Sequence, residues 1–281
     1  MRILITGANG MLAKAVIERF KDHDLILTDV EDLDITDLEK VKEFVFNSKP
    51  DVIINCAAYT AVDAAEDNLE LARKINAQGP KNLAIAANEN NCKLVHISTD
   101  YVFDGDLSTD EIYREDDKTG PVTAYGITKL EGEIAIKQNT SDYYIFRTAW
   151  LFGDGKNFVK TMIKAGMENE EVKVVFDQHG SPTYTVDLAN IIYQALEKEI
   201  PYGIYHATNL GFTTWYDFTK KIYELANISC IIIPVKSEEF VRPAKRPKNS
   251  MLSKAKLLDE GIKIPSWEDA LFRYVKIQIK D

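Results

Sequence analysis

Arg2-Ile3-Leu4-Ile5-Thr6-Gly7-Ala8-Asn9-Gly10 opens with a short apolar run that breaks on two glycines. Residues 3–6 read as a buried strand, and residues 10–20 after the glycine turn read as a helix. A strand feeding a helix through such a turn is the opening unit of a doubly wound sheet, where the helix N-terminus presents free N–H groups to a phosphate. The same alternation continues along the chain. Residues 25–28, 52–55, 94–98 and 143–147 read as strands, and residues 37–47, 69–90 and 123–138 as helices. Five strands separated by helices imply βαβ crossovers, hence a parallel sheet covered on both faces.

The predicted fold class is therefore α/β, a doubly wound parallel sheet of Rossmann type. After Arg147 the rhythm changes. A loop at 150–156, a helix near 157–167, a strand at 172–176, helices at 186–198 and 214–226, a strand at 231–234, the proline-rich segment 242–247 and a last helix from Ser266 follow. Residues 1–147 are assigned to the dinucleotide-binding domain, with 183–198 returning to it. Residues 148–182 and 199–281 are assigned to a smaller C-terminal substrate-binding lobe.

At 281 residues with 45% hydrophobic and 28% charged residues, the chain has ordinary globular composition and enough length for a large core. A net charge of −10 argues against nucleic acid, which needs clustered Lys and Arg. The one basic cluster, residues 242–248, is short and broken by prolines. Three widely spaced cysteines fit reduced thiols better than a disulfide framework. No signal peptide and no membrane-length apolar run is apparent, so the expectation is a cytoplasmic protein without a membrane partner.

The chemistry gathers at the carboxyl ends of the strands, where open parallel sheets bind their ligands. Gly7 and Gly10 let backbone N–H groups meet a pyrophosphate; Ala13 stands where a third glycine would allow close helix packing. Asp29 closes the second strand, where an acid accepts hydrogen bonds from an adenosine ribose and leans toward NADH, or is simply a turn residue. Lys14 leaves NADPH open, so the cofactor expectation is NADPH or NADH. Asp34 and Ile35 offer a carboxylate and an apolar side chain to flank an adenine, or Asp34 or Thr36 is a plain helix cap. Cys56, Ala57, Ala58 and Tyr59 follow the third strand, small for the most part, and let a cofactor pass close to the backbone. Ser98-Thr99-Asp100-Tyr101 ends the fourth strand and brings Thr99 and Asp100 toward a substrate, although alone it reads as a turn or cap.

Tyr125 and Lys129 lie four apart on one helix face. Taken alone, such a pair is a common surface feature. Placed after the fourth strand of a dinucleotide sheet, it reads as a carbonyl-reduction pair, the ammonium helping the phenol to pass its proton. Trp150 after the fifth strand either stacks on a sugar or base or belongs to a core. Arg242, Arg246 and Asn249 either neutralise a diphosphate or cap the lobe. The four histidines show no metal spacing.

These blocks resemble the extended short-chain dehydrogenases and, within them, the dTDP-4-dehydrorhamnose reductases, nearly from end to end. Tyr-x-x-x-Lys marks only the superfamily, whereas Ser98-Thr99-Asp100-Tyr101-Val102-Phe103-Asp104-Gly105 with the Trp150 loop is more specific. The resemblance implies NAD(P)H-dependent reduction of the C4 ketone of dTDP-4-dehydro-6-deoxy-L-mannose. In it Tyr125 donates the proton, Lys129 holds the nicotinamide ribose, and Thr99 completes the catalytic set. It further implies that Asn9, Met11 and Leu12 join the glycine loop at the cofactor, and that Thr99, Asp100, Trp150, Asn157, Arg242, Arg246 and Asn249 meet the substrate. Met11, Ala13 and Tyr59 depart from the usual pattern. Ala15 replaces an acid that some relatives place near a magnesium-linked dimer contact, so no metal is expected and the chain is expected to be a monomer or homodimer. Alternatives are a reductase of another nucleotide-linked keto sugar, or a non-catalytic dinucleotide-binding regulatory subunit like methionine adenosyltransferase beta.

Overall fold

The computed structural model describes residues 1–278. Strands β1 (Arg2–Thr6), β2 (Asp24–Thr28), β3 (Val52–Asn55), β4 (Lys93–Thr99), β5 (Tyr143–Thr148) and β6 (Gly203–His206) form one sheet in the order β6-β5-β4-β3-β1-β2. Every pairing is parallel. The crossovers include helices α1 (Met11–Arg19), α2 (Leu38–Ser48), α3 (Gly79–Glu89), α4 (Ala124–Asn139) and α5 (Thr185–Glu197). The order reverses beside β1, which has β2 on one side and β3 on the other. That reversal opens a crevice above the carboxyl ends of β1 and β3.

Alternation explains how the short apolar runs serve two cores. Ile3, Ile5, Val52 and Ile54 face α1 and α5, while Leu4 and Ile53 face α2 and α3. With both faces covered, no polar alternation is left in β1 or β3.

Two features differ from the sequence reading. The sixth strand, Gly203–His206, comes from the stretch assigned to the lobe and pairs with β5; four residues with a single strongly apolar one carry no readable period. The helix expected over residues 69–90 is three pieces, Leu69–Arg73, a π turn at Lys74–Gln78, and α3. Pro80 has no N–H to return to the carbonyl of Asn76, so that carbonyl leaves the ladder. Gly132 of α4 comes so close to it that a Cβ there would collide with it.

The lobe has its own aromatic core, in which Phe152, Tyr184, Phe218, Tyr223, Trp267 and Tyr274 pack together. It is carried by helices Phe158–Glu168, Trp215–Ala226 and Trp267–Gln278 and a parallel pair, Glu171–Val175 with Ile231–Val235. Among the described residues no helix is long and apolar enough to cross a membrane.

Candidate active site

Two adjoining clefts run along the carboxyl edge of the sheet. One, about 280 Å³, is lined by Gly7, Gly10, Asp29, Asp34, Ile35 and the Cys56–Ala58 stretch. The other, about 370 Å³, shares Gly10 and Cys56 to Ala58 and continues past Met11 and Leu12 to Thr99, Asp100, Tyr125, Lys129 and Trp150. A larger cavity of about 810 Å³ beside loop 104–118 contains none of these motif residues.

The first cleft fits a dinucleotide. Gly7 has φ +65°, and a Cβ there would come within 2.7 Å of the Ala57 backbone, so only glycine leaves the floor of the groove clear. Gly10 caps α1 without a side chain in the way, leaving the helix N-terminus open to an anion. Asp29 ends the β2 crossover with its carboxylate accepting from Asn9 N–H at 3.0 Å and Val30 N–H at 2.8 Å. Asn9 thus braces the turn through its backbone. Tyr59 lies just outside the cleft, its N–H and carbonyl both held by the Asn76 amide at 2.8 and 3.1 Å.

The second cleft brings together the residues that the sequence reads as reactive. Thr123 caps α4, its hydroxyl accepting from Gly126 N–H, and so aims Tyr125 off the first turn toward the end of β4. Burial pushes the Tyr125 phenol up to about 12, with the Thr99 hydroxyl pulling it down and Asp100 adding to the rise. The Tyr125 and Tyr101 rings pack edge to face with centroids 5.5 Å apart. Lys129 is 1% exposed. Its Nζ donates to the Ile97 carbonyl at 2.6 Å and touches His96 Nε2 at 3.2 Å. Burial pulls its ammonium down to about 8, against opposing pulls from Glu133 and Cys56. Lys129 is thus turned toward the sheet, and the phenol remains neutral, the form a proton donor requires.

Asp100 accepts from the hydroxyls of Thr99 at 3.0 Å and Ser250 at 2.5 Å, and burial lifts its carboxyl to about 6. Trp150 is held in a left-handed backbone conformation, φ +47°, and stacks on Trp215 at 3.6 Å, which fixes its indole at the cleft wall.

Four residues read as substrate contacts lie outside this cleft. Asn157 is buried in the lobe as a helix cap, accepting from Lys160 N–H and donating to the Gly153 carbonyl at 2.7 Å and the Tyr274 hydroxyl at 2.8 Å. Asn249 donates to the carbonyls of Ser108 and Glu111 and pins that loop. Arg246 is paired with Asp63 at 2.8 Å, and Arg242 is exposed beside Phe240. An amide or guanidinium suits a ligand and a structural lock equally well, so residue type alone does not separate the two. Conversely, Glu133, Arg147, His96 and Asn76 brace the residues of the cleft, and the sequence gives none of them a role: each is a polar residue inside an apolar run or a helix, where sequence shows no partner.

The family model for the RmlD substrate binding domain matches residues 1–279. The chain is 42% identical to the dTDP-4-dehydrorhamnose reductase of Mycolicibacterium smegmatis, over 96% of this chain and 84% of that protein. Among solved structures, the dTDP-4-dehydrorhamnose reductase of Clostridium acetobutylicum is similar with TM-score 0.96 and 49% identity, covering 99% of each chain. That of Bacillus anthracis, solved in complex with NADP, has TM-score 0.94 and 44% identity, covering 98% of this chain and 99% of its own.

Proposed function

The chain belongs to the RmlD family of dTDP-4-dehydrorhamnose reductases, NAD(P)-dependent oxidoreductases, and from that membership we propose that it reduces the C4 ketone of dTDP-4-dehydro-6-deoxy-L-mannose to dTDP-L-rhamnose, with Tyr125 as proton donor. The observation that carries the reading is one cleft in which Tyr125, Thr99 and Lys129 meet directly beside the glycine-floored groove.

Gly7 and Gly10 with the start of α1 receive the pyrophosphate, and Ala57 and Ala58 leave room above the sheet. The nicotinamide, when bound, supplies the hydride to C4. Tyr125 gives its phenolic proton to the oxygen that becomes the new hydroxyl and is left as phenolate. Thr99 Oγ1 orients that oxygen, and Lys129 stands on the same helix face to serve the phenol's return to neutrality. Trp150 closes the wall where the sugar lies. We also propose that Asp100 reads a sugar hydroxyl.

The test is coupled oxidation of NADPH and of NADH with dTDP-4-dehydro-6-deoxyglucose, with and without a 3,5-epimerase. Oxidation that needs the epimerase supports the reading and names the cofactor; oxidation without it reassigns the sugar, and none at all moves the reading to another nucleotide-linked keto sugar or to a dinucleotide-binding subunit. Tyr125→Phe is expected to lower kcat by ~10²–10⁴ while dinucleotide binding persists. Parent-level turnover in that variant removes Tyr125 as donor.

A further inference from the structure

A chain of hydrogen bonds of fixed polarity runs from the β3 edge to Lys129. Backbone N–H of Ala57 can only donate, and it donates to Asn55 Oδ1 at 3.1 Å, where the Thr6 hydroxyl also donates at 2.7 Å. That fixes the Asn55 amide, so its Nδ2, a donor, is the atom facing His96 Nδ1 at 3.0 Å. His96 Nδ1 must then accept, and the ring proton sits on Nε2. Nε2 faces Lys129 Nζ at 3.2 Å. An ammonium has no acceptor site and would oppose that ring proton with its own; a free amine accepts it with its lone pair while still donating to the Ile97 carbonyl at 2.6 Å. Asn55, His96 and Lys129 are each 1% exposed, so a mismatch between their side chains is poorly offset by solvent.

We propose that His96 is a positioning residue whose ring N–H biases Lys129 toward its amine form in the cofactor-free protein. The catalytic meaning of this rests on the function proposed above: the phenolate left on Tyr125 takes its proton back from the Lys129 ammonium, which becomes the amine that His96 stabilises and is then reprotonated from solvent through the cleft. The remaining titratable and charged groups around Lys129 come from three elements. Tyr125 and Glu133 share its helix, Cys56 follows β3, and Arg147 on β5 engages Glu133 in a two-point pair at 3.0 and 2.8 Å; the Glu133 carboxylate still favours the ammonium, but less than burial disfavours it. The direction agrees with geometry: burial lowers Lys129, and the His96 ring is itself held neutral by burial and by Lys129.

The first measurement needs no variant. In protein labelled with 15N-histidine, the His96 signals are expected to show protonated Nε2 and unprotonated Nδ1; the opposite tautomer overturns the proposal. The second follows the 13Cε resonance of Lys129, assigned by its loss in Lys129→Arg, against pH without substrate. His96→Gln, which can turn its carbonyl toward the ammonium, and His96→Phe, which offers no donor, are each expected to raise the midpoint by about one unit. A midpoint that stays put in a folded variant overturns the proposal. In His96→Gln the alkaline-side limb of the turnover profile is expected to move up with the resonance, because the ammonium that reprotonates Tyr125 then persists to higher pH. Because tautomer and titration are read without substrate, loss of the reductase reading would leave them standing, and their failure would leave the Tyr125 test standing.

Discussion

Arg147→Met tests whether α4 is anchored by a buried charge pair. Arg147 and Glu133 are 3% and 1% exposed, and two parallel hydrogen bonds at 3.0 and 2.8 Å join them. Glu133 also takes the Ser98 hydroxyl at 2.5 Å, while Arg147 donates to the Glu115 carbonyl at 3.2 Å. Removing the guanidinium leaves an uncompensated carboxylate in a dry interior, a change that costs about 3–5 kcal/mol. For a chain of this size that corresponds to a melting point lower by roughly 10 °C. Urea unfolding followed in parallel by far-UV circular dichroism and tryptophan fluorescence is the assay, since the three tryptophans lie at Trp150, Trp215 and Trp267 and report the lobe. In Glu133→Gln/Arg147→Met the orphan charge is gone and Ser98 keeps an acceptor, so most of the loss is expected to return. A single variant within about 1 kcal/mol of the parent, or a double variant no better than the single one, refutes the reasoning.

Three further outcomes follow from the site. The Asp100 carboxyl is lifted to about 6 by burial, so between its unfolded value near ~4 and 6 the folded chain holds a proton the unfolded chain has lost, and stability falls as pH rises through that window. Asp100→Asn is accordingly expected to gain stability over the parent above pH ~6 and none below ~4; a gain that does not change with pH contradicts this. Trp150→Ala removes the indole stacked on Trp215 and is expected to raise KM for the keto sugar several-fold while leaving the dinucleotide Kd alone; unchanged sugar KM would put Trp150 in the lobe core only. Asn157→Ala strips a helix cap and two buried partners and is expected to cost about 2 kcal/mol in urea unfolding. A normal unfolding curve with a large KM change would return Asn157 to the substrate.

The alternation of short apolar runs with helical stretches was enough to read β1 to β5, because buried parallel strands need nothing more than an apolar run between turns. Gly7 was legible for a related reason: a strand that turns with φ +65° under a close backbone can use no other residue, and Gly10 marks where the helix then begins. Gly203–His206 escaped although α5 leads back to the sheet just before it, because four residues with a single strongly apolar one make no readable run. The cleft residues Thr99, Asp100, Tyr125, Lys129 and Trp150 could be read from their places after the strands. Asn157 and Asn249 could not be separated from them, since what distinguishes a lock from a ligand is the partner, and the Tyr274 hydroxyl that meets Asn157 is 117 positions away. His96 lies within an apolar strand and looks there like a packed ring.

What the short signature Tyr125-x-x-x-Lys129 leaves out is the rest of the helix face to which it belongs. Tyr125, Lys129 and Glu133 recur every fourth residue and so share a face, and each meets β4 or its end: Tyr125 at Thr99, Lys129 at His96 and Ile97, Glu133 at Ser98. Three polar contacts on a buried face demand a fixed distance between helix and sheet. Gly126 sets it at the end of β4, where a Cβ would collide with the Tyr101 carbonyl, while Gly132 sets the spacing to the neighbouring π turn, where a Cβ would collide with the Asn76 carbonyl. Two glycines inside a helix cost about 1 kcal/mol each in propensity, and the Glu133–Arg147 pair adds desolvation. That much intrinsic instability on one helix is tolerated because the close approach it permits places the phenol and the amine. The pattern that specifies both packing and chemistry here is therefore the longer one, Tyr125-Gly126-x-x-Lys129-x-x-Gly132-Glu133. A substitution at either glycine should disturb turnover and stability together, and Gly132→Ala, remote from the substrate cleft, is the sharper of the two to measure.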